Sequence, residues 1–208
     1  MGLSIQVGGF DEESREMYDT LSNALVAAGL APHDEPRGLG PDGAFSCAMS
    51  GYSGLHHLRR LAAYIGEGIP VPSAGIDDPA ADPVLEGYYD LLAPEFEHLL
   101  MHSDATGFYV PVKLDEVVFV EEEIDEENVL GGMIGSSVNL LEECLRLAQW
   151  LELPTDLDHE SDEVWDAMGD PPAEGPKWKV FGKESFHCIR LIRACQASIR
   201  TGAAVVFC

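Results

Sequence analysis

The chain has 208 residues, 46% of them apolar, and its 37 acidic and 12 basic side chains give a formal net charge of −25. This length can bury the core of one domain, which we predict to span residues 1–208. A field of this sign repels nucleic acid and anionic lipid, so neither is predicted as a partner and a basic protein is favoured instead. The apolar segments are too often interrupted to cross a membrane, which excludes a membrane partner.

The cysteines indicate the cellular compartment. They are odd in number, scattered, and never spaced as C-x-x-C: Cys47, Cys144, Cys188, Cys195 and Cys208. Such a set is typical neither of a disulfide framework nor of a zinc ribbon, and it fits a reducing environment. We therefore predict a cytoplasmic protein.

The N-terminal part of the chain predicts a strand, a helix and a long loop. Residues 3–10 have the apolar character of a first strand. Residues 12–29 repeat apolar side chains at helical spacing, with Asp11 placed to cap the start of the helix and Gly29 to end it. Residues 31–51 are rich in Gly and Pro and predict a loop.

Helices follow in the next part of the chain. A second amphipathic helix is predicted over residues 52–65, with Ser53 as its cap. The pair Asp82 and Pro83 is a typical helix start, and Pro94 is placed to open a further short helix.

Two short strands are predicted after these helices. The apolar runs "FYVPV" (108–112) and "EVVFV" (116–120) are separated by "KLD", so we predict a hairpin in which Pro111 lies at an edge or a bulge. The acidic residues 121–127 then form an exposed loop, and "GGMIGSS" (131–137) leads into the next helix.

The C-terminal part completes the predicted fold. Residues 137–151 form a strong amphipathic helix, an irregular acidic stretch follows, and a last helix spans residues 183–201. The terminal "AAVVFC" is predicted as an apolar strand at the centre of the sheet. The elements together predict an α+β fold, with a small mixed β-sheet covered by several amphipathic helices.

Charge is unevenly distributed along the chain. Residues 177–200 carry six basic residues and one acid, whereas two concentrations of acid lie before them. These are Asp115, Glu116, Glu121, Glu122, Glu123, Asp125, Glu126 and Glu127, and then Asp156, Asp158, Glu160, Asp162, Glu163, Asp166 and Asp170. Such runs are typical of a solvated face that maintains solubility. The alternative is a docking surface for a basic protein, with Glu121, Glu122, Glu123, Asp125, Glu126 and Glu127 as its candidate residues.

"HLLMHSDATGFYVPV" (98–112) is the candidate for metal chemistry. His98 and His102 are four residues apart, so on a helix they share a face, and Asp104 follows at once. These three side chains could bind a divalent metal, with a further histidine from "GLHHL" completing the set of ligands. Leu99 stands where the H-E-x-x-H motif has glutamate, which excludes a zincin-type peptidase.

A structural alternative explains the same residues without a metal. His102 near a helix C-terminus meets the negative end of the helix dipole, Asp104 bonds the turn, and Gly107 supplies a positive φ. The sequence does not predict a dinucleotide cofactor either. Residues 38–43 match the G-x-G-x-x-G motif, but no predicted strand precedes them. No cofactor is predicted beyond the candidate metal.

Several runs of the sequence carry a resemblance to a known group. These are "YSGLHHLRRLAAYI", "HSDATGFYVPV", "GSSVNLLEECLRLA" and "ASIRTGAAVVFC". They resemble a group of uncharacterised bacterial proteins with an H-S-D-x-x-G-[YF]-Y-[VL]-P core, followed by G-S-S and a leucine-rich helix. The resemblance covers most of the chain, which supports one domain, and it implies no established activity. Phe108 replaces the more usual tyrosine, so no catalytic role is implied for that ring.

Two hypotheses about function remain open. The first is a non-enzymatic acidic binding protein similar to the immunity proteins that neutralise basic bacterial toxins. The second is a small metal-dependent enzyme that uses His98, His102 and Asp104. The sequence favours the first, because net charge does not depend on a helix boundary whereas the histidine geometry does. The oligomeric state does not follow from the sequence.

Overall fold

A six-stranded mixed sheet forms the centre of the fold and helices cover both of its faces, which confirms the predicted α+β class. The structure is a computed structural model. It describes residues 3–40, 43–51, 53–73, 78–91, 94–103, 105–121, 123–125, 128–154 and 156–207.

The sheet combines one parallel strand pair with four antiparallel pairs. The strands are β1 (Ser4–Val7), β2 (Phe45–Ala48), β3 (Gly107–Val110), β4 (Val118–Phe119), β5 (Met133–Ser136) and β6 (Val205–Phe207). Their order across the sheet is β2-β1-β6-β3-β5-β4, and only β3 and β5 run parallel. The C-terminal strand β6 therefore lies between β1 and β3, as its apolar sequence predicts.

The helices are distributed over the two faces of the sheet. They are α1 (Arg15–Ala27), α2 (Gly54–Gly66), α3 (Pro83–Tyr89), α4 (Glu97–Leu100), α5 (Ser137–Leu151), α6 (Asp162–Gly169), α7 (Lys177–Val180) and α8 (Gly182–Thr201). Helices α2, α5 and α8 cover one face, where Leu58, Leu140 and Leu191 share a buried cluster with the strand residues Ile5 and Val205. Helices α6 and α7 pack outside α8, so they belong to the same side.

Helix α1 covers the opposite face. Its buried side chains Leu21 and Leu25 share a second cluster with Phe108, Val110 and Ile134. Successive side chains of a strand point to opposite faces, which is why Tyr109, between two members of this cluster, belongs to the other one.

The prediction of a hairpin formed by residues 108–112 and 116–120 is wrong. Strands β3 and β4 do not pair, because β5 lies between them, and β5 comes from the glycine-containing run that was predicted only to lead into a helix. A Cβ added to Gly135 would lie 2.4 Å from the ring carbon Cδ1 of Tyr109. Gly135 therefore leaves the space that the ring of Tyr109 occupies against β5. The glycine at this position does not indicate a loop.

Three further sequence predictions need correction. The loop predicted over residues 31–51 contains strand β2, and the irregular acidic stretch contains helix α6. Helix α1 begins at Arg15, and Asp11 lies ahead of it, where its side chain accepts a hydrogen bond from the amide of Ser14 at 2.8 Å.

Other local predictions are confirmed. Asp82 accepts from the amide of Val84 at 2.9 Å and starts α3, and Gly29 has a positive φ just after α1. Within the described ranges, no helix combines the length and the apolar composition needed to cross a bilayer.

Candidate partner-binding surface

The charge of the protein is concentrated on its surface. Among the described residues, 25 acidic side chains are exposed, whereas only five basic side chains are. The exposed basic residues are Arg15, Arg37, Lys113, Arg146 and Arg200. This imbalance exceeds that of the composition, because the fold uses part of its basic residues internally.

Three arginines are buried and bind groups of the chain itself. Arg59 donates from Nε to the carbonyl oxygen of Leu99 at 2.9 Å and from Nη2 to that of His102 at 2.6 Å. Arg60 forms a buried ion pair with Asp82 at 2.6 Å. Arg190, which is fully buried, donates to Glu160 at 3.1 Å. Their positive charges therefore lie inside the fold and are not exposed to a binding partner.

Most exposed basic side chains lie beside a carboxylate of the protein. Lys113 is 3.0 Å from Glu142, and Arg146 is 2.6 Å from Glu95. Arg15 is 2.5 Å from Glu12. Exposed pairs of this kind contribute little to stability, at most about 1 kcal/mol each. They do reduce the positive field that an approaching cationic partner would meet.

Ten exposed carboxylates lie on the side of the sheet that α1 covers, and we call them the α1-side acidic surface. They are Asp11, Glu12, Glu13, Glu16, Asp19, Asp34, Asp115, Glu116, Glu121 and Glu123. Two segments contribute most of them, and both are fixed by one buried cluster that contains Leu21 of α1 and Leu114 of the loop after β3. The loop residues Val120 and Ile124 pack against this cluster too, which holds Glu121 and Glu123 at the surface.

A second group of seven lies on the opposite side, and we call it the α6-side acidic surface. It consists of Asp156, Asp158, Glu160, Asp162, Glu163, Asp166 and Asp170, all exposed. Val164 and Ala167 of α6 pack against Phe186 of α8, so Asp162 and Asp166, one turn apart, face outward.

The α6-side acidic surface is closely accompanied by cations. Glu160 is paired with Arg190, and Glu163 lies 2.5 Å from Lys179. The basic C-terminal part of the sequence supplies these cations, since α7 and α8 pack directly against α6. The α1-side acidic surface is the more negative of the two.

The six predicted docking residues have different surroundings. Glu121 and Glu123 are exposed and belong to the α1-side acidic surface, whereas Glu122, Glu126 and Glu127 lie outside the described residues. Asp125 is buried, and its carboxylate accepts from the amides of Val129 at 2.7 Å and Leu130 at 2.9 Å. Asp125 thus stabilises the turn that leads into β5.

The five acids around the start of α1 were not predicted from the sequence as part of a docking surface. The run "DEESREMYD" (11–19) contains five acids and one base. Only the helical spacing of its apolar residues was used, to predict the helix. The net charge of the predicted helix was the signal that could have found them.

His98 and His102 are both buried and hydrogen-bonded to backbone. His98 Nδ1 accepts from the amide of Ser136 at 3.0 Å. The ring of His102 stacks on Tyr109 with centroids 4.0 Å apart, and its Nε2 lies 3.1 Å from the carbonyl oxygen of Phe108. Burial lowers the pKa of each imidazole to about 4, which favours the neutral form.

The described residues do not assemble a metal site around these histidines. No group of three His, Cys, Asp or Glu side chains among them is arranged to hold a metal ion. The third predicted ligand, Asp104, lies outside the described residues. The metal hypothesis therefore stays a prediction, and metal analysis of the purified protein would decide it.

The same segment is held by two charged side chains that the sequence did not reveal. Both carboxylate oxygens of Glu143 accept from the start of α4, from the amides of His98 at 3.0 Å and Leu99 at 2.8 Å. Arg59 binds the carbonyls at the other end of α4. A negative group at the N-terminus and a positive group at the C-terminus both complement the helix dipole. Burial raises the pKa of Glu143 to about 8, whereas the two amides that donate to its carboxylate act in the opposite direction and favour the negative form.

A family model described as "Putative DNA-mimic protein" matches residues 1–207. No curated protein and no solved structure matches the chain. The description corrects our partner prediction, which set nucleic acid aside: a DNA mimic takes the place of DNA on a protein that binds it. A basic protein remains consistent with this partner, whereas a toxin–immunity pair is not what the family indicates.

Proposed function

The chain belongs to this family of DNA-mimic proteins, and on that premise we propose that it binds a DNA-binding protein on the surface that DNA would otherwise occupy. The proposal refines the acidic binding protein that composition predicts by giving its partner a defined chemistry. DNA-binding surfaces are cationic because they neutralise phosphates with lysine and arginine. An acidic protein can meet the same side chains with carboxylates.

The observation that carries the proposal is the excess of exposed carboxylates over exposed cations, 25 against five among the described residues. Duplex DNA carries one negative charge per about 1.7 Å of its axis, and about 3.4 Å along one strand. Glu16 and Asp19 stand three residues apart on α1, which corresponds to about 4.5 Å of helical rise. This axial spacing is of the same order as that of the phosphates along one DNA strand.

We place the binding surface on the α1 side. The α6-side acidic surface lies against its own cations Lys179 and Arg190, so its field is partly cancelled. On the α1 side, Arg15 is paired with Glu12 and Lys113 with Glu142. Arg37 lies over the ring of Phe10, 4.9 Å from its centroid. A cationic partner therefore meets the least opposition there.

The other sequence predictions fit this function. We propose a protein without catalytic activity, because binding in place of DNA requires charge and shape but no reactive group. We also keep one domain and a reducing cytoplasm as proposals. The four described cysteines are free and buried, which supports the second.

Affinity capture followed by mapping tests the proposal. The protein is immobilised and incubated with a nuclease-treated lysate of its own cell at about 0.05 M salt, where charge attraction is weakly screened. Each captured protein is purified and its amide hydrogen exchange is measured with and without the acidic protein. We expect protection at the partner's DNA-binding residues. Protection confined to another surface of every captured protein would contradict the proposal.

A further inference from the structure

The α1-side acidic surface contains a groove lined by both apolar and charged side chains. It has a volume of about 480 Å³ and lies between Leu30, just after α1, and the segment from Lys113 to Phe119. Phe119 is 65% exposed, the highest value among the large apolar side chains of the described residues. A smaller cavity of about 280 Å³ shares Leu30 and extends the apolar surface to Val112, which is 50% exposed.

Phe119 lies on β4, which is the last strand of the sheet and pairs with β5 alone among the described strands. Edge strands that present large apolar side chains are prone to unwanted association. A cluster of exposed apolar groups within a polar rim is typical of an interaction site.

The rim of the groove is negative. Asp115 and Glu116 line it directly, and Asp34 lines the neighbouring cavity. The cation among the lining residues, Lys113, has its ammonium 3.0 and 3.1 Å from the two carboxylate oxygens of Glu142. The groove therefore presents the exposed apolar side chains of Leu30 and Phe119 beside the carboxylates of Asp115 and Glu116.

We infer that this groove docks an amphipathic cationic segment of the partner, with an apolar side chain in the groove and lysine or arginine over its acidic rim. The inference rests on the proposed function, because it assigns a chemistry to the partner at the same surface. Charge complementarity selects this occupant. A second copy of the chain would bring Asp115 and Glu116 towards a surface that carries the same charges, which opposes pairing.

The groove would give the protein a selectivity that carboxylates alone lack. Every DNA-binding protein offers cations, so attraction by charge discriminates poorly among them. An apolar contact adds affinity that salt does not screen, and only partners with a matching apolar side chain gain it.

Two synthetic helical peptides of about 18 residues and equal positive charge test the inference. One carries leucine along one face, and the other carries serine at the same positions. Titration calorimetry at about 0.15 M and about 0.5 M salt measures their affinities. We expect the leucine peptide to bind about tenfold more tightly, and the difference to persist at the higher salt.

Variants of the groove locate the contact. Phe119→Ser should remove the tenfold difference between the peptides, and Leu30→Ser should reduce it, so that the test does not depend on one variant. Ile69→Ser is the matched control, because Ile69 is 41% exposed and follows α2 on the other side of the sheet. Urea midpoints confirm that each variant is folded.

The outcomes separate this inference from the proposed function. Equal affinity for the two peptides, or an unchanged difference in both groove variants, would overturn the groove and leave the capture experiment to decide DNA mimicry. Self-association of the protein that Phe119→Ser abolishes would overturn it too, in favour of a second copy. Failure of the capture experiment with a preserved leucine effect would reject DNA mimicry alone.

Discussion

Neutralising part of the α1-side acidic surface should weaken partner binding more than neutralising the same number of charges on the α6 side. The α1-side variant combines Glu13→Gln, Glu16→Gln and Asp19→Asn. All three side chains are exposed, and none of them is in an ion pair of the described structure. The variant removes three negative charges from a net of −25.

The expected magnitude follows from exposed ion pairs. Each carboxylate that meets a partner cation in solvent contributes about 0.2–1 kcal/mol, so three contribute about 2 kcal/mol. This corresponds to a Kd increase of about 30-fold. The dependence of Kd on salt should also become less steep, because fewer ions are exchanged when the partner binds.

The matched control combines Asp162→Asn, Asp166→Asn and Asp170→Asn on the α6-side acidic surface. It changes the net charge by the same amount as the α1-side variant. Each variant also removes one acid from the first turn of its helix, Glu16 in α1 and Asp162 in α6. Calorimetric titration of the captured DNA-binding protein over a salt series compares both variants with the parent protein. Equal losses in the two variants would refute a localised site, because they would indicate only a general effect of charge.

Three further predictions concern stability. Arg59→Met should lower the free energy of unfolding by about 3 kcal/mol in urea titrations, because two buried carbonyls lose a charged donor. The exposed control Arg37→Met, which loses only its contact with the ring of Phe10, should change it by at most about 1 kcal/mol, and equal effects would contradict the account of α4. Gly135→Ala should cost about 2 kcal/mol through its contact with Tyr109. Gly169→Ala, which meets no atom within 4 Å and lies in α6, should be neutral or slightly stabilising. The folded pKa of His98, about 4, lies below its ordinary 6.5, so its contribution to stability is present above 6.5 and is lost as pH falls towards 4. His98→Asn keeps an acceptor for the amide of Ser136. Between about pH 7 and about pH 5, the free energy of unfolding of this variant should fall by about 2 kcal/mol less than that of the parent protein. If the free energies of the two proteins change in parallel with pH, His98 is not held neutral.

Regular elements with strong local signals could be predicted from the sequence. Helix α5 spans residues 137–151 as predicted, because its apolar spacing is regular and Ser136 caps it through the amide of Asn139. Helix α8 differs by one residue at its start. Strand β6 was placed at the sheet centre because its sequence is apolar on both faces.

Elements that depend on long-range packing were missed. Strand β5 contains Gly135, whose role is set by Tyr109 on the neighbouring strand, so the local pattern favoured a loop. Strand β2 gains its pairing from β1, far away in the sequence, and lies in a segment rich in turn formers. Helix α6 has only two buried residues, Val164 and Ala167, too few for a clear periodicity.

Only part of the candidate surface could be predicted from the sequence. The acidity itself and the exposed Glu121 and Glu123 were predicted. Only the structure shows which charged side chains are exposed to a partner. Asp125 instead accepts hydrogen bonds from backbone amides, and Arg59 donates to backbone carbonyls. The groove beside Phe119 brings residues that follow α1 together with residues of β4, and no local pattern could show that.

Competition with DNA tests the central claim most directly. The captured DNA-binding protein is titrated with a fluorescent duplex at increasing concentrations of the acidic protein, at constant salt. If both occupy one surface, the apparent Kd for the duplex rises in proportion to the acidic protein, and enough duplex restores full binding. A ternary complex of duplex, DNA-binding protein and acidic protein, with the duplex Kd unchanged, would contradict the claim.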